Sequence, residues 1–290
     1  MNESDKQSQA NVEVIEPGGR GYPRPQMRRT HWISLNGTWD FIIDKDAKLQ
    51  RPADVDWQHC KHIQVPFAPE TERSGIKDTS FYSACWYRHL FTAPALDTNQ
   101  RLFLHFGAVD YQATVWINGN FAGEHIGGYT PFSLDVTEFL ADSGTQTIVV
   151  RAFDDPQDLA KPRGKQDWQL EPHSIWYPRS TGIWQTVWLE RVPRTRIERL
   201  AWTPNLLRWD IGFEAWVTGT VPQSELRLEL VLRSGKRELA HDIYTVVADE
   251  VHRRVALSDP GIDDFRNELL WSPESPTLIR ADVKLTTKDG

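Results

Sequence analysis

Asn118-Gly119 is the feature that most limits what this chain can become. The pair separates Thr114-Val115-Trp116-Ile117 from Asn120-Phe121-Ala122, two stretches whose β-branched and aromatic residues suit extended strands. A two-residue type I′ turn needs positive φ at both central positions, and Asn and Gly tolerate it. The spacing therefore predicts an antiparallel hairpin. Gly127-Gly128 breaks the return strand, and Tyr129-Thr130-Pro131-Phe132 leads into a further extended run with Leu134 and Val136. Such a hairpin fits any antiparallel β protein, so the rest of the chain must say which.

The rest is also strands and turns. Ser34 to Gly37 is a turn, followed by a strand through Ile43. Ile63-Gln64-Val65-Pro66-Phe67 is extended, and Asp54 to Trp57 is a single turn. Trp86 to Phe91 forms a strand with mixed faces. In Arg101 to Gly107, Leu102, Leu104 and Phe106 share one face and Phe103 and His105 the other, with His105 read as a satisfied sheet residue. Thr147 to Phe153 and Gly182 to Glu190 are two further strands. No stretch of ten residues carries a helical period, which predicts a sandwich or jelly roll. Past Pro193 aromatics thin out and aliphatic alternation takes over. Leu226, Leu228, Leu230 and Leu232 alternate with Arg227, Glu229, Val231 and Arg233, the pattern of a half-buried antiparallel strand. About seven short strands after Pro193 predict an immunoglobulin-like sandwich, without the Cys…Trp…Cys pattern of antibody domains.

The expected organisation is an N-terminal arm over 1–29, rich in Gly and Pro, a jelly roll over 30–193 and an immunoglobulin-like sandwich over 194–290. A net charge of −7 argues against a nucleic-acid partner, which demands clustered Lys and Arg. Met1 to Val14 is polar and acidic, unlike a signal peptide, and no apolar run approaches the ~20 residues that span a bilayer. A cytoplasmic protein with no membrane partner is expected. Cys60 and Cys85 lack metal-type spacing, so free thiols are expected and no metal ligand is assigned. The 13 Trp are expected to be structural for the most part.

The ordered set Leu35 to Phe41, Val65 to Phe67, Trp86 to Phe91, Leu104 to Leu140, Val149 to Asp155 and Ser180 to Glu190 resembles the N-terminal sugar-binding domain of glycoside hydrolase family 2. Leu269 to Leu278 is similar to the end of that family's immunoglobulin-like second domain. The resemblance implies an all-β fold: a galactose-binding-like jelly roll, then an immunoglobulin-like sandwich. It also implies a (β/α)₈ barrel, missing from these residues, as the catalytic partner. The function it implies is the non-catalytic N-terminal portion of an exo-β-glycosidase, with a carbohydrate substrate and assembly into a homo-oligomer. A free-standing lectin-like protein is the alternative. No catalytic residue is assigned here. Asn267-Glu268 echoes the family's acid/base pair but sits in the closing motif of the second sandwich. Phosphate loop, His-x-x-x-His and Ser-elbow patterns are all missing.

The segment from Asp154 to Arg179 is polar and long for a loop, and such loops tend to be functional. Sugars are held by forked polar groups and by aromatic faces. The candidate substrate-binding residues are Asp154, Asp155, Arg163, Gln166, Trp168, Trp176 and Arg179. In the family's β-galactosidases the matching loop contributes an Asp that contacts sugar and a sodium ion, and Asp154 matches it best. No cofactor is expected beyond a structural cation of that kind. Phe67-Ala68 stands where those enzymes carry an Asn after Val-Pro, and Tyr177-Pro178-Arg179 where β-glucuronidases carry an Asp. Trp116 and Tyr129 are read as packing residues on core strands.

Overall fold

The computed structural model describes residues 22–24, 26–142, 144–219, 221–222, 225–257 and 266–288. Most of the arm expected over 1–29 lies outside these residues, as does Ser143. The chain divides into two units between Val192 and Pro193.

The first unit contains β1 (Trp32–Ser34), β2 (Gly37–Asp44), β3 (Lys61–Val65), β4 (Ala84–Thr92), β5 (Gln100–Phe106), β6 (Val109–Asp110), β7 (Gln112–Ile117), β8 (Asn120–Ile126), β9 (Phe132–Asp135), β10 (Thr145–Phe153), β11 (Gly182–Ile183) and β12 (Val187–Pro193). The hairpin forms as its turn chemistry dictates: φ is 50° at Asn118 and 81° at Gly119, between β7 and β8. Six strands lie in the order β3-β2-β4-β10-β7-β8, four in the order β1-β12-β5-β9, and β11 pairs with β6. Between the two larger sheets, alternate residues interdigitate into one core. Leu102, Leu104 and Phe106 come from one sheet, and Phe41, Tyr87, Val115, Ile117, Ile148 and Val150 from the other.

Both larger sheets are also covered outside. Trp86 and Trp116 stack with ring centroids 5.5 Å apart beyond the six-stranded sheet, where the segment after β2 lays Leu49, Val55 and Trp57 over them. On the outer face of the four-stranded sheet, Glu190 of β12 is 1% exposed and gathers the described part of the arm. Its carboxylate accepts from the Tyr22 hydroxyl, from Arg24 Nη2 at 2.6 Å and from Arg29 Nη1 at 3.2 Å. His105 Nε2 lies 3.2 Å from the same carboxylate, and the other ring nitrogen is 2.5 Å from Ser133 Oγ. Burial opposes ionisation of Glu190, but His105 and Arg24 outweigh it and hold the carboxyl well below its usual range. Burial likewise holds the His105 imidazole below its ordinary value.

Gly182 to Glu190, expected as one strand, is two. β11 pairs with β6 and β12 with β1, because tertiary bonds pull the intervening residues out of line. The Trp184 indole donates to the Gly128 carbonyl at 2.7 Å, and the Gly107 amide donates to Thr186 O at 2.9 Å.

In the second unit β13 (Arg196–Asn205), β14 (Asp210–Thr218) and β17 (Glu250–Ala256) form one sheet. The other is formed by β15 (Leu226–Ser234), β16 (Arg237–Thr245) and β18 (Arg280–Thr287). Leu226, Leu228, Leu230 and Leu232 point inward and meet Ile211, Phe213, Ala215 and Val217 of β14, making the immunoglobulin-like sandwich. The described residues hold six strands where about seven were expected. Asn267-Glu268 falls in a short 3₁₀ turn, with both residues exposed. The described residues contain no α-helix, so no helix is long and apolar enough to cross a membrane.

Leu104→Ala should destabilise the first unit by about 2–5 kcal/mol, read from its denaturant midpoint, because the side chain is fully buried between two sheets. Glu190 and His105 both bind protons more readily when unfolded. Their contribution is therefore complete above the ordinary histidine value of 6.5 and declines as pH falls through 6.5 and then 4.5. Glu190→Gln should lower the thermal midpoint most at neutral pH, and the gap to wild type should narrow progressively as pH falls below about 4.5. A gap constant down to pH 3 would contradict this.

Candidate functional site

The loop between β10 and β11 is structured by its own hydrogen bonds. Asp167 acts as its hub: the carboxylate accepts from the amides of Gln169 at 3.0 Å and His173 at 2.7 Å and lies 2.8 Å from His173 Nδ1. The Asp167 amide donates to Tyr177 O at 2.8 Å and the Tyr177 amide to Lys165 O at 2.9 Å, so the two ends of the excursion lie side by side. On this frame Trp168 packs edgewise against Trp176 at 5.1 Å and His173 at 5.3 Å, and Trp168 stays 40% exposed.

Below the loop lies a buried ionic centre. Arg179 donates to Asp154 Oδ2 at 2.9 Å, to the Asp154 carbonyl at 3.1 Å and to the Tyr82 carbonyl at 3.1 Å. Lys161 donates to the other oxygen of Asp154 and, at 2.6 Å, to the Asp155 carbonyl. Burial, with Arg179 and Arg163 nearby, pushes the Lys161 ammonium down to about 8. Glu70 accepts from the Tyr82 hydroxyl at 2.9 Å and the Thr181 amide at 3.2 Å, and burial raises its carboxyl. Asp110 accepts from Gln166 Nε2 at 2.6 Å and is likewise raised by burial. Gly128 is required here, since a Cβ would fall 2.2 Å from Asp110 Oδ1. Asp110, Asp154, Lys161, Arg163, Gln166 and Arg179 surround a gap of about 10 Å³, room for one water. A neighbouring hollow of about 90 Å³ opens beside Glu70, Phe81, Leu170, Glu171 and Arg179.

The seven candidate residues separate into two groups. Asp154 and Arg179 face each other in the buried centre, and Gln166 bridges it to the loop by taking the Ser180 amide at 2.9 Å and giving to Asp110 and Tyr129. Asp155 caps the next turn through the Gln157 amide at 2.9 Å, and Arg163 ties the loop to the carbonyls of Pro156 at 3.3 Å and Asp158 at 2.7 Å. Trp168 and Trp176 stand apart on the outer aromatic cluster. Tyr129 needs correcting. It lies in the turn between β8 and β9, 49% exposed, and its hydroxyl donates to Arg163 O at 2.7 Å, whereas Trp116 is packed as expected. Glu70, Asp110 and Lys161 complete the centre and were not among the candidates. The signal in the sequence for Lys161 is its place as the first cation after Asp154 in the loop. For a metal, the centre already holds its own cations against its carboxylates.

Arg179→Met should cost about 3–5 kcal/mol, because Asp154 would keep a buried charge without its guanidinium. Adding Asp154→Asn should recover part of that loss, and a double variant no more stable than the single one would count against a buried pair.

The comparisons agree with the first unit's architecture. Residues 45–184 match the family model of the glycosyl hydrolase 2 galactose-binding domain-like group. A beta-galactosidase of Thermoanaerobacter pseudethanolicus is 25% identical over 264 residues, covering 89% of this chain and 33% of the relative. A putative beta-glucuronidase of Formosa agariphila is 27% identical over 273 residues, 92% of this chain and 31% of the relative. The chain therefore spans about a third of the length of these curated relatives. The solved Bifidobacterium dentium beta-glucuronidase complexed with coumarin-3-O-glucuronide shares the fold with a TM-score of 0.69 at 20% identity, over 93% of this chain and 47% of that one. Residues 45–184 thus form the galactose-binding-like domain of glycoside hydrolase family 2, and the chain around it is similar to the matching third of these relatives.

Proposed function

We propose that this chain is the non-catalytic N-terminal portion of an exo-acting β-glycosidase that hydrolyses O-glycosyl bonds. In this reading its first sandwich shapes one wall of the sugar pocket, and a C-terminal (β/α)₈ barrel supplies the acid/base and the nucleophile. A retaining glycosidase needs two carboxyls about 5–5.5 Å apart with access to the glycosidic bond. Here the gathered carboxylates Glu70, Asp110 and Asp154 are all buried, and Asp154 is neutralised by Arg179 and Lys161. They stiffen the loop and do not hydrolyse.

One observation carries the reading: a half-exposed tryptophan, Trp168, on a loop clamped from beneath by that buried centre. A fixed aromatic face can meet the C–H side of a sugar ring with little ordering cost. Substrate binding in this proposal falls to Trp168 and Trp176, with Arg163 and Gln166 ordering the loop and Asp154, Asp155 and Arg179 anchoring it. Two free thiols, at Cys60 and Cys85, support a reducing, cytoplasmic setting. Homo-oligomer formation is part of the same proposal.

The test uses the intact gene product and p-nitrophenyl β-galactoside, β-glucuronide and β-mannoside. One of them should be hydrolysed, and these 290 residues alone should hydrolyse none. Trp168→Ala in the intact enzyme should raise KM about tenfold, a loss of about 1.4 kcal/mol, with kcat changed less. Unchanged kinetics would remove the loop from the pocket. Calorimetric binding of free sugars by the 290-residue chain, with no hydrolysis by the intact product, would instead favour a lectin.

A further inference from the structure

A second set of chemistry-bearing side chains lies where β2 pairs with β3, outside the loop. Asp40 of β2 stands directly opposite His62 of β3 in the antiparallel register. Cys60 precedes His62 by two residues, and that spacing returns a side chain to the same face of an extended chain. Three potential ligand atoms, an Asp40 oxygen, the Cys60 sulfur and a His62 nitrogen, lie within 4.8 Å of one another. His62 Nδ1 is 3.3 Å from Asp40 Oδ1. Two light-atom ligands each about 2.0–2.1 Å from a tetrahedral zinc are separated by about the same distance.

Asp40 is also aimed. Arg88 of β4, opposite Asp40 in the sheet, donates to Oδ2 through Nε at 2.8 Å and Nη2 at 2.6 Å, so Oδ1 is left to face His62. An outer partner that fixes a ligating carboxylate is the usual support of a metal site. Arg88 is itself seated on the Trp57 ring, 4.7 Å from its centroid.

We propose that Asp40, Cys60 and His62 form an open three-ligand site for a thiophilic divalent cation of the zinc class, with solvent as the fourth ligand. Thiolate with imidazole selects zinc, cobalt or cadmium over magnesium or calcium, which prefer all-oxygen sets. His62 is exposed and Cys60 partly so, which gives the ion an entry path. On binding, the thiol proton leaves to solvent as the metal–sulfur bond forms. The site has a structural consequence. Cys60 closes the segment that carries Leu49, Val55 and Trp57 over the outer tryptophans, so a bound ion would clip that segment and the edge strand β3 to β2.

Cobalt(II) provides the readout. Titrated into the chain at neutral pH, it should produce a thiolate-to-cobalt charge-transfer absorption saturating at one equivalent, and zinc added afterwards should abolish it. Cys60→Ser should remove the band, leaving the buried Cys85 with no signal. His62→Ala should weaken cobalt binding at least about tenfold, the scale by which even outer partners matter. Zinc should raise the thermal midpoint of the wild type and leave Cys60→Ser unmoved. If Cys60→Ser misfolds, His62→Ala alone carries the comparison. A band that persists in Cys60→Ser, unaltered affinity in His62→Ala, or no band with excess cobalt would overturn the site.

Discussion

Arg179 is a cation taken out of water, 9% exposed, and the arrangement around the loop depends on how that charge is met. An uncompensated buried ion costs several kcal/mol, and a buried pair repays that only with additional hydrogen bonds. Arg179 therefore spends its donors on Asp154 and on two carbonyls, one from the loop's first residue and one from Tyr82 before β4. That single side chain joins the end of the loop to its beginning and to the six-stranded sheet. Lys161 takes the remaining oxygen of Asp154, and its own burial makes it a strained cation that Asp110 helps to retain. The polar centre is thus closed on itself, and the loop's outward side is left to aromatic residues.

This division explains why the strands could be read in the sequence and the centre could not. A period of two and an Asn-Gly turn are local signals, so β7 and β8 were placed by residues within a few positions of one another. Trp184 interrupts the expected strand over 182–190 because its indole partner is Gly128, far away in the chain, and no local pattern announces that bond. Asp110 and Glu70 escaped for the same reason. They join the centre only through the fold, with Gln166 reaching across 56 positions to Asp110 and Thr181 across 111 to Glu70. The seven candidates fall in one contiguous loop because composition marks a loop. Their roles were hidden because burial, which decides whether a carboxylate meets a sugar or an arginine, has no local signature at Asp154. Tyr129 shows the converse: the extended run after Gly127-Gly128 suggests a core strand, while the chain keeps Tyr129 in the turn before β9.

The tryptophans show how the first sandwich covers surfaces that two-layer folds usually leave to water. Trp39 is in the central core, Trp86 and Trp116 lie beyond the six-stranded sheet, and Trp188 lies beyond the four-stranded one under Arg24. Each outer face then needs a covering segment. The segment after β2 covers one, and the described part of the N-terminal arm covers the other.

These two covers are held differently, and the difference follows from what each has to bind. The arm is polar, so it is fixed by charge. Glu190 is buried and ionised, and an ionised buried carboxylate is tolerable only while Arg24, Arg29, Tyr22 and His105 surround it. Such an anchor is sensitive to acid and to loss of any partner. The segment after β2 is apolar at Leu49, Val55 and Trp57, so burial seats its middle, helped by Arg88 on the Trp57 ring, and its end at Cys60 lies outside that apolar cluster. That end is where Asp40 and His62 converge, so the end of the cover that lies outside its apolar cluster coincides with a group of ligand-type side chains.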